Sequence, residues 1–190
     1  MNFLIDQYDS PLGRMLLVTD PQSRVRALEF ADGEERMRHL LRVQYGPVDL
    51  RPASAPQPVT DALHSYFTGE FAEICRVTVK LGGTSFQREV WQALRTIPAG
   101  STRTYGEIAR QIGRPKASRA VGAANGANPI SIILPCHRVI GASGSLTGYG
   151  GGLHRKQWLL DHESEKCFSI TPPHAGILTR KQIDAPRRLG

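Results

Sequence analysis

Turn-forming tetrapeptides cut the start of this chain into short apolar pieces, and that spacing restricts what it can fold into. Phe3 to Tyr8, Met15 to Thr19 and Val25 to Phe30 are apolar-rich runs separated by Ser10-Pro11-Leu12-Gly13 and Asp20-Pro21-Gln22-Ser23. Runs this short pair with their neighbours, so three strands of a small antiparallel sheet are predicted. Glu34 to Gln44 then places Met37, Leu40 and Leu41 at helical spacing, and Val59 to Phe67 does the same with Val59, Leu63, Tyr66 and Phe67. Two helices could therefore cover one sheet face, with a proline-rich linker from Pro47 to Pro58 between them. Arg76 to Leu81 alternates apolar and polar residues as a strand does, and Gly82-Gly83 is the expected hinge.

Beyond the hinge the hydrophobic period becomes helical. Thr84 to Leu94 aligns Phe86, Val90, Trp91 and Leu94 on one stripe, which ends near Pro98 and Gly100 and reads as core. Thr104-Tyr105-Gly106-Glu107 fits a capping box, so a helix starts at Tyr105 with Ile108, Ala109 and Ile112 on its apolar face. Gly113-Arg114-Pro115 breaks it, and Ala117 to Asn125 restarts a helix of small residues that carries Arg119. Helix, short turn with glycine and second helix make a helix-turn-helix pattern, one that plain helical hairpins share. The fold class is thus α/β in the broad, α+β sense. A small sheet with helices (1–81) precedes a mostly helical, helix-turn-helix unit (82–165) and a basic, irregular tail (166–190).

The chemistry concentrates at Pro135-Cys136-His137-Arg138-Val139. Asn128-Pro129 forces a turn, Ile130 to Leu134 buries itself, and this stiff lead-in delivers Cys136 at its end. A cysteine beside a base or cation is a candidate thiolate nucleophile, because such neighbours lower the thiol pKa from about 8.5. Taken singly, Cys136 also fits a buried structural thiol. Glu163 follows on a predicted helix, His154 to Glu163, so a Cys136-His137-Glu163 relay is chemically coherent: carboxylate orients imidazole, imidazole takes the thiol proton.

Charge separates the two halves. Residues 1–81 carry 9 Lys+Arg and 11 Asp+Glu, residues 82–164 carry 10 and 4, and residues 165–190 carry 5 and 2. Positive charge on the cysteine half suits a polyanionic partner, though a solvated basic surface reads the same way. No run approaches the roughly 18 apolar residues of a membrane span, and Met1 to Asp6 lacks the marks of a signal peptide. Three separated cysteines, Cys75, Cys136 and Cys167, form no C-x-x-C pair, so neither a disulfide framework nor a zinc site is indicated. A cytoplasmic protein with free thiols and no metal is the expectation.

Phe86-Gln87-Arg88-Glu89-Val90-Trp91-Gln92-Ala93-Leu94, Ile97-Pro98-Ala99-Gly100, Thr104-Tyr105-Gly106-Glu107-Ile108-Ala109, Arg119-Ala120-Val121-Gly122, Asn128-Pro129, Ile133-Leu134-Pro135-Cys136-His137-Arg138-Val139-Ile140 and Gly148-Tyr149-Gly150-Gly151-Gly152 occur in that order. This series resembles the O6-alkylguanine-DNA alkyltransferases, especially the bacterial Ogt type, over about residues 82 to 165. The first 81 residues fit the family's smaller amino-terminal domain in layout; the tail has no recognised counterpart.

The resemblance implies direct, single-use DNA repair without a cofactor: an alkyl group passes irreversibly from O6 of guanine, less readily from O4 of thymine, to Cys136. His137 would deprotonate Cys136 through a bridging water, Glu163 would orient His137, and Tyr105 would bond guanine N3. The carbonyls of Cys136 and Val139 would accept from the guanine amine. Tyr149, Gly150 and Gly151 would form the pocket lid, with Gly150 leaving room for longer alkyl groups. Asn128 would brace the turn before the active-site segment, and Lys156 would sit near the pocket. Ala117, Ser118, Ala120, Gly122 and Ala123 would let the second helix approach the minor groove of double-stranded DNA. Arg119 would fill the space left by the flipped-out base. A monomer is implied, with cooperative binding left open. The amino-terminal half has no cysteine before Cys75 and cannot supply the zinc cluster of some members. A lesion-binding or regulatory protein without transfer, and a cysteine hydrolase, are the rival readings. A cofactor-dependent methyltransferase is disfavoured, because Gly148 to Gly152 opens no Rossmann unit.

Overall fold

The computed structural model describes residues 1–169. Three strands form where the turns place them: β1 (Asn2–Ser10), β2 (Gly13–Thr19) and β3 (Val25–Phe30). β1 pairs antiparallel with β2, and β2 with β3. The first turn closes on Ser10, whose hydroxyl donates to the Gly13 carbonyl at 2.6 Å and accepts from Leu12 N at 3.2 Å. Gly13 has φ +106, a left-handed geometry that glycine adopts without a Cβ penalty. Asp20 organises the second turn by accepting from the amides of Gln22 and Arg24.

The sheet departs from expectation at three points. A fourth strand, β4 (Asp49–Pro52), lies within the proline-rich linker and pairs parallel to β1, giving the order β3-β2-β1-β4. Its edge position explains the tolerance, since an edge strand needs ladder donors on one side only. The sheet is therefore mixed rather than purely antiparallel. The two helices also cover opposite faces. α1 (Glu34–Tyr45) buries Met37 and Leu41 with Phe3, Leu16, Val18 and Ala27. α2 (Gln57–Thr68) buries Val59, Leu63 and Tyr66 with Met15, Leu17, Val25, Leu28 and Phe30 on the other side. Alternation along β2 sends adjacent side chains to opposite faces, so each face requires its own cover. Finally, the strand anticipated over Arg76 to Leu81 is reduced to one bridge, Val25 to Val79, preceded by a 3-10 turn at Glu73–Arg76.

The core continues across Gly82-Gly83. Val90, Trp91 and Leu94 of α3 (Ser85–Leu94), Ile108 of α4 (Tyr105–Gln111) and Val121 of α5 (Ser118–Gly126) share one buried cluster with α2 and the sheet. Thr84 caps α3 reciprocally with Gln87, and Thr104 caps α4 reciprocally with Glu107. Trp91 Nε1 donates to the Ala124 carbonyl at 2.9 Å, tying α3 to α5. Two short strands, β5 (Arg103–Thr104) and β6 (Val139–Ile140), pair in parallel and join the start of α4 to the segment after Cys136. α6 (Leu153–Ser169) closes the molecule. It carries helical backbone beyond residue 166, where the sequence predicted an irregular tail; 170–190 lie outside the described residues.

Replacing Thr104 by alanine removes the cap of α4. Urea unfolding should show a loss of about 1 kcal/mol with an unchanged denaturant slope; an unchanged midpoint would mean the box does not hold the helix.

Candidate active site

Cys136 is positioned by backbone geometry imposed from the amino-terminal sheet. The outer edge of β3 receives the lead-in: Leu28 N donates to the Pro129 carbonyl at 3.0 Å and Ser131 N to the Leu28 carbonyl at 2.8 Å. Asn128 is buried and braces the turn, its Nδ2 donating to the Leu134 carbonyl at 2.8 Å while its Oδ1 accepts from Ile130 N at 2.9 Å. Asn128 thus holds the turn through its amide, and the same side chain reaches the Cys136 thiol, whose pKa it lowers. Ile132 has φ +68, a conformation that costs a β-branched residue on the order of 1–3 kcal/mol and persists only where packing enforces it. Cys136 then begins a 3-10 turn, Cys136–Arg138, with its side chain 5 % exposed.

The relay forms. His137 Nε2 lies 2.8 Å from Glu163 Oε1, and both side chains are fully buried. Glu163 also accepts from Arg138 Nε at 2.9 Å and Nη2 at 2.8 Å, from Tyr66 Oη at 2.6 Å and from Gly100 N at 3.2 Å. Burial alone would raise the Glu163 carboxyl, but His137 and Arg138 pull it well below the usual carboxylate range. Burial lowers the His137 pKa against the opposing pull of Glu163. Neutral imidazole facing an ionised carboxylate carries its proton on Nε2, which leaves Nδ1 as the basic nitrogen. That Nδ1 is buried with no protein partner.

The thiol behaves differently from the sequence expectation. Burial pushes Cys136 up to about 11, more than Asn128, Arg36 and Lys156 can offset. The neighbouring imidazole is neutral and supplies no cation, so the resting group is a protonated thiol beside a base and not a preformed thiolate.

The pocket residues are placed unevenly. Lys156 is fully buried and its Nζ donates to the Val139 carbonyl at 2.6 Å and the Thr147 carbonyl at 3.0 Å; burial lowers its pKa. The Cys136 carbonyl accepts from Val139 N and lies 3.4 Å from Asn125 Nδ2, so both carbonyls assigned to the guanine amine already have protein donors. The Tyr149 hydroxyl is buried, and burial raises its pKa well above 10.0. A Cβ on Gly150 would stand 2.9 Å from Arg36 Cζ, so Arg36 occupies the direction a side chain there would take. The Arg36 guanidinium that fills this space pairs with Glu29 and donates to the carbonyls of Gly126 and Asn128. A Cβ on Gly151 would meet the Phe30 ring at 2.7 Å. Tyr105 Oη lies 2.7 Å from Thr147 Oγ1.

On the helix-turn-helix, Ser118, Arg119, Ala120 and Ala123 are exposed and Ala117 and Gly122 half-buried. Arg119 shares a surface cleft of about 660 Å³ with Tyr105, Arg110, Ser118, Gly122 and Ala142. Among the described residues no group of three or more His, Cys, Asp or Glu is arranged to hold a metal, and no helix is long and apolar enough to cross a membrane. Sequence reasoning missed Arg138, Tyr66, Asn125 and Thr147. Only Arg138 left a trace: an arginine in an apolar run needs a buried carboxylate.

A family model described as "6-O-methylguanine DNA methyltransferase, DNA binding domain" matches residues 85–165. The methylated-DNA–protein-cysteine methyltransferase of Salmonella typhimurium is 52% identical over 165 residues, 86% of this chain and 96% of the relative. The crystal structure of Mycobacterium tuberculosis OGT in complex with DNA superposes with a TM-score of 0.72 at 45% identity, covering 87% of this chain and 94% of that one. The O6-methylguanine-DNA methyltransferase of Pyrococcus kodakaraensis gives 0.62 at 25% identity, covering 85% and 98%.

Two outcomes follow from the burial of these groups. Iodoacetamide at pH 7.5 should label exposed Cys75 while leaving Cys136 unmodified, and Cys136 labelling should rise steeply toward pH 11; peptide mass mapping reads both. Stability should also fall with acid. The unfolded chain takes up protons near pH 6.5 at His137 and near 4.5 at Glu163, which the native state resists. Guanidinium unfolding across pH should show stability declining from about pH 6.5 downward. His137→Asn should flatten the part between 6.5 and 5, by up to about 1.4 kcal/mol per pH unit.

Proposed function

The chain belongs to the methylated-DNA–protein-cysteine methyltransferase family, and from that premise we propose that Cys136 is the residue that takes the alkyl group. The protein repairs DNA by direct reversal, moving an alkyl group from O6-alkylguanine to its own cysteine in a single irreversible turnover. The observation that carries the assignment to Cys136 is the buried His137–Glu163 pair, which leaves a basic Nδ1 on the residue next to the thiol.

In this reading His137 Nδ1 takes the Cys136 proton through a water molecule, and Glu163, held by Arg138 and Tyr66, keeps the imidazole in the required tautomer. The thiolate attacks the alkyl carbon in line; the S–C bond forms, the C–O6 bond breaks and its electron pair stays on guanine. Tyr105 donates to guanine N3 and limits the charge on the departing base. The Cys136 and Val139 carbonyls face the exocyclic amine and accept from it. Tyr149, Gly150 and Gly151 cover the pocket. O4-alkylthymine is the poorer substrate.

A buried thiol cannot reach O6 inside a stacked duplex, so the nucleotide must be flipped out, at a cost of a few kcal/mol that a damaged base reduces. The exposed small residues Ser118, Ala120 and Ala123, with Ala117 and Gly122, allow α5 to approach the minor groove, and Arg119 enters the vacated stack. The basic charge of residues 82–164 supplies sequence-independent affinity. The protein acts as a monomer, and a single-use thiol fits the reducing cytoplasm. Lesion binding without transfer is the weaker reading, because it leaves the His137–Glu163 pair without a task.

The test is intact-protein mass after incubation with excess duplex DNA carrying O6-methylguanine. Wild type should gain one methyl group, mapped to Cys136, and stop; Cys136→Ser should gain none while still binding the lesion. Lesion binding by wild type with no mass gain would overturn the assignment.

A further inference from the structure

The hydroxyl of Thr147 sits against the phenol of Tyr105 at the edge of the surface cleft. Tyr105 lines that cleft beside Arg119, and its Oη lies 2.7 Å from Thr147 Oγ1. Thr147 belongs to the loop between β6 and α6 that also carries Tyr149. Its position is fixed from behind: the Thr147 carbonyl accepts from Lys156 Nζ at 3.0 Å, and the same ammonium donates to the Val139 carbonyl at 2.6 Å. Val139 pairs with Arg103 of β5, which runs directly into Tyr105. A closed ring of contacts therefore links Tyr105, Thr147, Lys156 and the strand that follows Cys136.

We propose that Thr147 is a positioning residue for Tyr105: its hydroxyl donates to the phenolic oxygen and turns the phenol's own proton toward the departing base. A hydroxyl can donate once and accept twice, so a phenol that receives from Thr147 keeps its proton free for guanine N3. Donation to the phenolic oxygen also favours partial transfer of that proton as negative charge builds on the base, because it stabilises the oxygen left behind. The overall step balances: the S–C bond replaces the C–O6 bond, and the thiol's proton replaces the alkyl group on the product base, relayed through His137, solvent and Tyr105. The role rests on the alkyl-transfer reading of the site and adds a residue to it.

The test is the single-turnover rate of methyl transfer from O6-methylguanine duplex at saturating protein, with lesion affinity measured separately. Four proteins are compared with wild type: Thr147→Val, Thr147→Ser, Tyr105→Phe and Thr147→Val/Tyr105→Phe. Thr147→Val should slow transfer by about three- to tenfold, the range one neutral hydrogen bond supports, with affinity unchanged. Thr147→Ser should restore the rate. In the Tyr105→Phe background Thr147→Val should change the rate by less than about twofold, since the two residues act through one bond. A wild-type rate for Thr147→Val, a faster one, an unrescued serine variant, or independent effects of the two substitutions would each overturn the proposal while leaving alkyl transfer standing. Absence of transfer by wild type would instead overturn the alkyl-transfer reading itself.

Discussion

The buried carboxylate of Glu163 is the interaction on which the rest of the site depends. It is fully buried and ionised, and it accepts from Tyr66 on α2, from the backbone at Gly100, and from His137 and Arg138 beside the cysteine. An isolated carboxylate in this environment would be neutralised, because transfer out of water costs several kcal/mol after relaxation. Four donating groups from three separate parts of the chain remove that penalty together. Arg138 is equally committed, with its remaining guanidinium nitrogen donating to the Ile97 carbonyl at 2.6 Å. The carboxylate therefore does two things at once. It neutralises Arg138 as a structural ion pair, and it fixes the tautomer of His137 as a chemical one.

The second constraint is the free edge of β3. An unpaired strand edge presents donors and acceptors that must be satisfied, and here residues 78–80 and 129–131 satisfy them. Docking the lead-in on that edge makes the amino-terminal sheet a jig for Cys136, although no residue of the sheet belongs to the relay. The left-handed Ile132 shows that the path is imposed, since neither its side chain nor its local sequence favours that geometry. Arg36 reinforces the docking by bridging Glu29 on β3 to the carbonyls of Gly126 and Asn128.

What was legible in the sequence was local. Turn chemistry at Ser10–Gly13 and the Thr104–Glu107 box depend on residues three apart, and both formed as the sequence predicts. So did the helical stripe of Val90, Trp91 and Leu94. β4 was illegible because its pairing partner lies at the far amino terminus and its prolines disguise an edge strand. The neighbour of Gly150 was illegible for the same reason: Arg36, which faces it, comes from a helix more than a hundred residues earlier. The pairing of His137 with Glu163 could be suspected from chemistry and Arg138 left a trace in its apolar surroundings, whereas Tyr66 became visible only when α2 and α6 were brought together.

A protonated resting thiol is consistent with a reagent that can be used once. Raising the thiol from 9.0 to about 11 leaves about a hundredfold less thiolate at neutral pH, while each thiolate that forms is roughly six- to tenfold more nucleophilic. For an electrophile met at random in solution the balance is a loss, and burial of Cys136 restricts its approach as well. For a flipped alkylguanine the balance reverses. In the proposed mechanism His137 Nδ1, which has no protein partner, takes the proton when the alkyl carbon is in line, and the stronger nucleophile reacts where proximity is worth most. On that mechanism the burial that shields Cys136 from solvent also directs its single reaction to a substrate brought into the pocket.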